Sequence, residues 1–88
     1  MIQYIRTPNF EETILDDEWV ILNTDNHSIT RLNDIGGFCW TLLSEPQTFK
    51  SIMEAIHQEY DIQDQSIEED IQRFLEDLIE CGLIRDAE

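Results

Sequence analysis

Basic residues are scarce in this chain. Only 5 Lys and Arg stand against 20 Asp and Glu, giving a formal net charge of −15 over 88 residues and a sequence pI near 4.1. DNA affinity comes largely from Lys and Arg neutralising phosphates, so this balance argues against nucleic acid as a partner. An anionic membrane surface is disfavoured for the same reason. Long apolar runs are also missing. None approaches the roughly 20 residues of a membrane span. The start, Met1-Ile2-Gln3-Tyr4-Ile5-Arg6, has neither the basic region nor the apolar stretch of a signal peptide. Cysteine is rare too, with only Cys39 and Cys81. Two cysteines make no disulfide framework. Both lie in apolar, helix-like contexts and read as reduced core or near-core thiols of a cytoplasmic protein, a Cys39–Cys81 disulfide being the less favoured alternative.

Catalytic and ligand signatures are equally thin. His27 and His57 are the only histidines, and no CxxC, HxxxH or HExxH occurs, so no metal is expected. Cys39 sits between Phe38 and Trp40 with no base beside it. GxSxG is absent, and Gly36-Gly37 lacks the Walker pattern. The acid clusters Asp16-Asp17-Glu18 and Glu68-Glu69-Asp70 lack the order of a calcium loop and read as a hairpin turn and the first turn of a helix. The expectation is a protein that is not an enzyme and carries no cofactor.

What is present is enough for one folded domain, residues 1–88. Hydrophobic residues make up 41% and aromatics 9%, too many for a disordered acidic tail. A chain of this length buries only about two-thirds of its unfolded surface, so its stability is modest. The first half reads as strands. Phe10–Leu15 alternates and ends in Asp16-Asp17; Trp19-Val20-Ile21-Leu22 is a compact β-type run; Asn23–His27 is a cluster of turn formers; Ser28-Ile29-Thr30-Arg31-Leu32 alternates with period two. This predicts a three-stranded antiparallel meander at 10–15, 18–23 and 28–32, with residues 2–6 a further extended piece. The second half reads as helices. Asn33 or Asp34 caps the first, with Ile35, Phe38, Cys39, Leu42 and Leu43 on its apolar stripe, and Pro46 stops it. Thr48 caps the second, which carries Ile52, Met53, Ile56 and Tyr60. Asp61–Gln65 is a polar linker. Ser66 and Glu69 form a capping box for the third helix, whose stripe is Ile67, Ile71, Phe74, Leu75 and Leu78 and whose end is Gly82, followed by a short apolar tail at Leu83-Ile84. Trp40, Leu42 and Leu75 are assigned to the core. The fold class is α+β, winged helix-turn-helix-like.

A meander leaves outer strands with unpaired backbone groups, which are either protected or used to capture an extended peptide. Strand 28–32 suits capture. It is short, lacks proline and has one charge. If Leu32 points inward, Ser28 and Thr30 share its face, while Ile29 and Arg31 point the other way.

The stretch Thr30-Arg31-Leu32-Asn33-Asp34-Ile35-Gly36-Gly37-Phe38-Cys39-Trp40 resembles the "rLN–x–x–(G/A)–x–x–x–W" core of the pyrroloquinoline-quinone biosynthesis protein D family. Phe49-Lys50-Ser51-Ile52 is similar to that family's next helix opening, and Asp70–Ile84 to its closing helix and "G–L–i" end. The resemblance covers about residues 10–85. It implies a recognition element for ribosomally made, post-translationally modified peptides, which binds the leader segment of a precursor as an extra antiparallel strand between the third strand and third helix. Carried over, the peptide-binding groove is lined by Ser28, Ile29, Thr30, Arg31 and Leu32 on the strand, and by Asp70, Arg73, Phe74, Asp77, Leu78 and Cys81 on the helix. Phe74 and Leu78 read equally well as core, and Asp77 as a solvated face. The compact form resembles freestanding lasso-peptide members, which implies a separate leader peptidase and a cyclase as partners. The alternative is a pyrroloquinoline quinone precursor-peptide chaperone acting with a radical enzyme. Two more distant readings fare worse. A winged-helix regulator conflicts with the charge. In an acyl carrier, Asp64-Gln65-Ser66-Ile67 would have to stand in for the attachment motif.

Overall fold

The computed structural model describes residues 2–61 and 65–87. Its elements run β1 (Gln3–Arg6), β2 (Phe10–Leu15), β3 (Glu18–Asn23), β4 (Ile29–Leu32), α1 (Asp34–Leu42), β5 (Gln47–Thr48), α2 (Phe49–Glu59), α3 (Ser66–Glu80) and β6 (Ile84–Asp86). The class is α+β. Strands β2, β3 and β4 form the expected antiparallel meander with β3 in the middle. Of the polar linker expected at 61–65, and of the carrier-like stretch at 64–67, residues 62–64 lie outside the described residues.

Turn chemistry sets the register of the meander. Leu15 pairs with Glu18, and the two residues between them, Asp16 and Asp17, have φ of 51° and 66°. Positive φ at both central positions is the type I′ geometry, whose twist matches that of the strands it joins. The β3–β4 connection is held by side-chain amides. Asn23 Oδ1 accepts from the Asp25 N–H at 2.9 Å, and Asn26 Oδ1 accepts from the Ser28 N–H at 2.9 Å.

A second three-stranded sheet has no counterpart in the sequence reading. Strand β1 is its centre, with β5 on one side and β6 on the other, both antiparallel. The extended piece at 2–6 is therefore real, and the apolar tail at Leu83-Ile84 leads into its partner strand. Strands of two and three residues are too short to show a period.

Helix α1 is capped by Asn33, whose Oδ1 accepts from the Gly36 N–H at 2.8 Å. Its buried residues are Gly36, Gly37, Cys39 and Trp40, followed by Leu43. Cys39 and Leu43 of the expected stripe are buried and Ile35 and Phe38 pack half-buried against the core, but Leu42, assigned to the core, is not part of it. The cause is glycine. The Trp19 indole of β3 lies directly against Gly37, where a Cβ would overlap the ring. The helix turns the face that carries Gly36, Gly37 and Trp40 inward, with Gly37 seated against the Trp19 ring of the sheet. Helix α2 starts as expected at Thr48, with Thr48 and Ser51 capping each other reciprocally. Helix α3 does not use the expected Ser66–Glu69 capping box. Ser66 is already its first residue, Gln65 before it is αR and makes no side-chain cap bond, and the Gln65 carbonyl accepts from the Glu68 N–H at 3.3 Å. Its end is the predicted one. Gly82 has φ of 76°, its N–H donates to the Ile79 carbonyl, and the Leu83 N–H donates to the Leu78 carbonyl, each at 3.0 Å. This is the Schellman arrangement.

The core gathers Ile21 and Leu32 from the meander, Cys39, Trp40 and Leu43 from α1 and its end, Ile52, Met53 and Ile56 from α2, Ile71, Leu75 and Leu78 from α3, and Leu83 and Ile84. At its edge Trp40 links both sheets. Its Nε1 donates to Glu12 Oε2 at 2.6 Å, Phe10 meets its ring edge-on at 4.9 Å, and Arg6 of β1 lies 5.1 Å from the ring centroid and 3.8 Å from Glu12. No described helix is long and apolar enough to cross a membrane.

Both cysteines are free thiols; Cys39 is fully buried and Cys81 half-buried. Burial pushes the Cys39 thiol up from 9.0 to about 12. Because the folded pKa lies above the unfolded one, its stabilising contribution is intact below about pH 9 and lost as pH rises toward about 12. Titration of the native protein with an aromatic disulfide reagent at pH 8 should modify one thiol, Cys81, quickly, and the second only after denaturant is added. Two fast thiols would contradict the burial of Cys39.

Candidate functional site

Strand β4 pairs with β3 on one side only; among the described residues its other edge is open. The Asn23 N–H donates to the Ser28 carbonyl at 2.9 Å, one step before Leu22 pairs with Ile29. In an antiparallel ladder, successive residues turn both backbone groups alternately toward and away from the partner. Thr30 and Leu32 therefore turn theirs to β3, and Ile29 and Arg31 turn theirs to the open edge. The side chains alternate across the sheet faces as well. Leu32 is 4% exposed in the core and Thr30 half-buried, whereas Ile29 is 67% exposed and Arg31 exposed. Ser28 Oγ is buried and has no hydrogen-bond partner among the described residues.

Helix α3 runs beside this strand in the opposite direction. At the start of β4, Thr30 Oγ1 donates to Cys81 Sγ at 3.8 Å, and the Cys81 carbonyl accepts from Asn23 Nδ2 at 2.7 Å and Asn26 Nδ2 at 3.4 Å. Beyond its end, the half-buried Phe74 ring approaches Gly36, where a Cβ would lie 3.5 Å from it. A pocket of about 200 Å³ opens there between α1 and α3, lined by Asn33, Ile35, Gly36, Ile67, Asp70, Ile71 and Phe74. Asp70, Arg73 and Asp77 are exposed on α3.

The predicted site residues thus divide. Thr30 and Cys81 meet at one end, and Asp70 and Phe74 line the pocket at the other. Leu32 and Leu78 are core residues, at 4% and 1% exposed. They lie on the inward face of β4 and the apolar stripe of α3 and belong to the same core cluster. The sequence reading missed Ile35, Ile67 and the two asparagines that pin the β3–β4 turn to the end of α3. Asn23 and Asn26 were visible only as turn formers.

Charge is uneven along the edge. Where β4 enters α1, a wide depression of about 620 Å³ is lined by Asp16, Asp17, Glu18 and Asp34 around Arg31 and Tyr60. Desolvation, with Asp34 and Glu59 nearby, pushes the Tyr60 hydroxyl up. Among the described residues, no group of three or more His, Cys, Asp or Glu side chains could hold a metal ion.

Asn23 is 3% exposed and satisfies both the turn and the helix end. Asn23→Ala should cost about 2 kcal/mol, since two hydrogen bonds go and buried partners are left under-satisfied. Urea unfolding checks this, and loss of the Thr30–Cys81 proximity in amide spectra would report the loosened groove.

Against protein families, residues 18–84 match the model described as Coenzyme PQQ synthesis protein D (PqqD). The chain belongs to the PqqD family. Among solved structures, this PqqD domain is similar to TbiB1 in complex with the TbiA(beta) leader peptide, with a TM-score of 0.78, 27% identity, and 92% of this chain and 94% of that chain covered. It shares its fold with lasso peptide synthetase B1 complexed with the leader peptide, with a TM-score of 0.75, 20% identity, and 93% and 96% covered. No curated protein matches significantly.

Proposed function

We propose that this PqqD-family chain is a non-catalytic recognition protein. In this reading it binds the leader segment of a ribosomally made precursor peptide and presents it to a separate leader peptidase and a cyclase in lasso-peptide maturation. The observation that carries the reading is the open edge of β4 facing α3. An extended leader added antiparallel to β4 would satisfy the outward backbone groups of Ile29 and Arg31, a contact independent of leader sequence. Specificity would come from side chains. Phe74 and its pocket take an apolar group, Thr30 and Cys81 bound the far end, and Asp70, Arg73 and Asp77 offer charge partners from the helix. Leader recognition by TbiB1, 27% identical over nearly the whole chain, supports this reading. The family's own description favours a second reading, in which the bound peptide is the precursor of pyrroloquinoline quinone and the partner a radical enzyme.

Titration of the labelled protein with a synthetic lasso leader and with a pyrroloquinoline quinone precursor peptide separates the two. The expected result is micromolar or tighter binding of the lasso leader, with amide shifts concentrated in 28–32 and 70–81 and slower modification of Cys81. Shifts confined to other residues would sink the site. Preference for the second peptide would favour the second reading.

A further inference from the structure

Strand β1 and helix α2 meet at their starts. Gln3 pairs with Thr48, the residue that caps α2, so the neighbours of Gln3 stand beside the first turn of that helix. Ile2 and Tyr4 flank Gln3 and by alternation share a side. Phe49 and Met53 are four apart on α2 and share a face. These four side chains, with Lys50 and with Glu68 from the first turn of α3, line a pocket of about 530 Å³. None of the six belongs to the β4 edge or to the Phe74 pocket. Met53 is the buried floor at 7% exposed, and Tyr4 and Phe49 are half-buried walls. Ile2 differs from them. At 55% exposed, it leaves apolar surface in water at the rim of the hollow. One face therefore carries both an apolar hollow and an exposed isoleucine.

The charges on the rim select the occupant. Lys50 and Glu68 are both exposed, and among the described residues neither makes an ion pair. A partner carrying one sign of charge would meet a like charge at one of them. A second copy of this chain, turned about a two-fold axis, meets none. In an isologous contact residue i faces residue j, and j faces i. Ile2 of one protomer would enter the hollow of its partner, and Lys50 of one would face Glu68 of the other. We infer that this face joins two copies of the chain into a two-fold dimer, with Ile2 as the knob and Tyr4, Phe49 and Met53 as the hole. The net charge of −15 does not forbid it. At on the order of 0.15 M salt the Debye length is about 8 Å, so acids away from the contact are largely screened. The rim pairs fix the register more than they supply affinity. One knob and one hole per protomer make a small contact, which supports a weak dimer. The contact uses no residue of the β4 edge, so each protomer keeps that edge free, and the inference stands apart from the leader-binding reading.

Sedimentation velocity of the intact, untagged chain, from micromolar to millimolar concentration at physiological salt, is the test. The expected result is a monomer at the low end and a dimer at the high end. Lys50→Glu and Glu68→Lys should each weaken the dimer at least tenfold, because each sets like charges together twice across the axis. Combining Lys50→Glu with Glu68→Lys exchanges the signs and should bring the dimer back to within threefold of the wild type. Ile2→Asp should abolish it. All these variants change exposed side chains, so each should unfold within a few degrees of the wild type. A wild type that stays monomeric at millimolar concentration would overturn the proposal. So would a dimer that the single exchanges leave intact, because it would lie on another face. A combined variant no tighter than the single ones would overturn it as well, since the Lys50–Glu68 pairing would then be wrong.

Discussion

Gly37→Ala should lower stability by about 2 kcal/mol, a net of two opposed effects. A Cβ at this position would overlap the Trp19 indole. Forcing carbon into a filled contact costs about 3 kcal/mol when a ring and its neighbours must move. Alanine recovers about 1 kcal/mol because glycine is a poor helix residue. For a small domain this is a Tm decrease of roughly 10 °C. The change has a spectroscopic companion. Trp19 would be levered off α1 toward solvent, so emission should shift red while Trp40, fully buried, stays unmoved. The cause is checked by a double-mutant cycle. Trp19→Val removes the obstacle, so Gly37→Ala in that background should cost nothing or stabilise. An unchanged Tm in the single variant would mean that the glycine face of α1 is not what seats the helix on the sheet.

This contact also marks where the sequence stopped being readable. Apolar spacing along α1 gave Ile35, Phe38, Cys39, Leu42 and Leu43, of which Cys39 and Leu43 are buried and Leu42 is not, because a hydrophobic pattern scores side chains and glycine has none. Gly36 and Gly37 could be read as permitting close packing, but not what packs there, which is Trp19. The same limit hid the second sheet. Strand β1 pairs with β6 across nearly the whole chain, and no local pattern signals so distant a partner. The meander was legible because its information is local: alternation in β4, turn formers at 23–27, and an Asp-Asp turn with both φ positive. So was the end of α3, where Gly82 takes a positive φ. At the site, alternation correctly separated the two faces of β4. It could not tell groove-lining from core residues. Leu32 and Leu78 have the spacing of both, and only their near-zero exposure decides.

The phase of the β4 ladder makes the sharpest prediction about binding. The Ile29 N–H points to the open edge, so Ile29→Pro removes no bond within the sheet; proline is tolerated on edge strands in this orientation. The variant should fold with its Tm nearly unchanged. Leader binding should fall on the order of 100-fold, about 2–3 kcal/mol. One backbone hydrogen bond is lost, and the pyrrolidine ring holds off the neighbouring ones. Ile29→Ala keeps the donor and loses only a side chain that points away from the groove, so its leader affinity should barely change. Thr30→Pro is the converse. Its N–H is bonded inward to β3, so this variant should lose stability even with no peptide present. The three variants, measured by thermal unfolding and by leader titration, locate the donor that binds the leader. A folded Ile29→Pro that still binds fully would end strand addition at this edge, and equal stability for the two proline variants would show the ladder to be in the opposite phase.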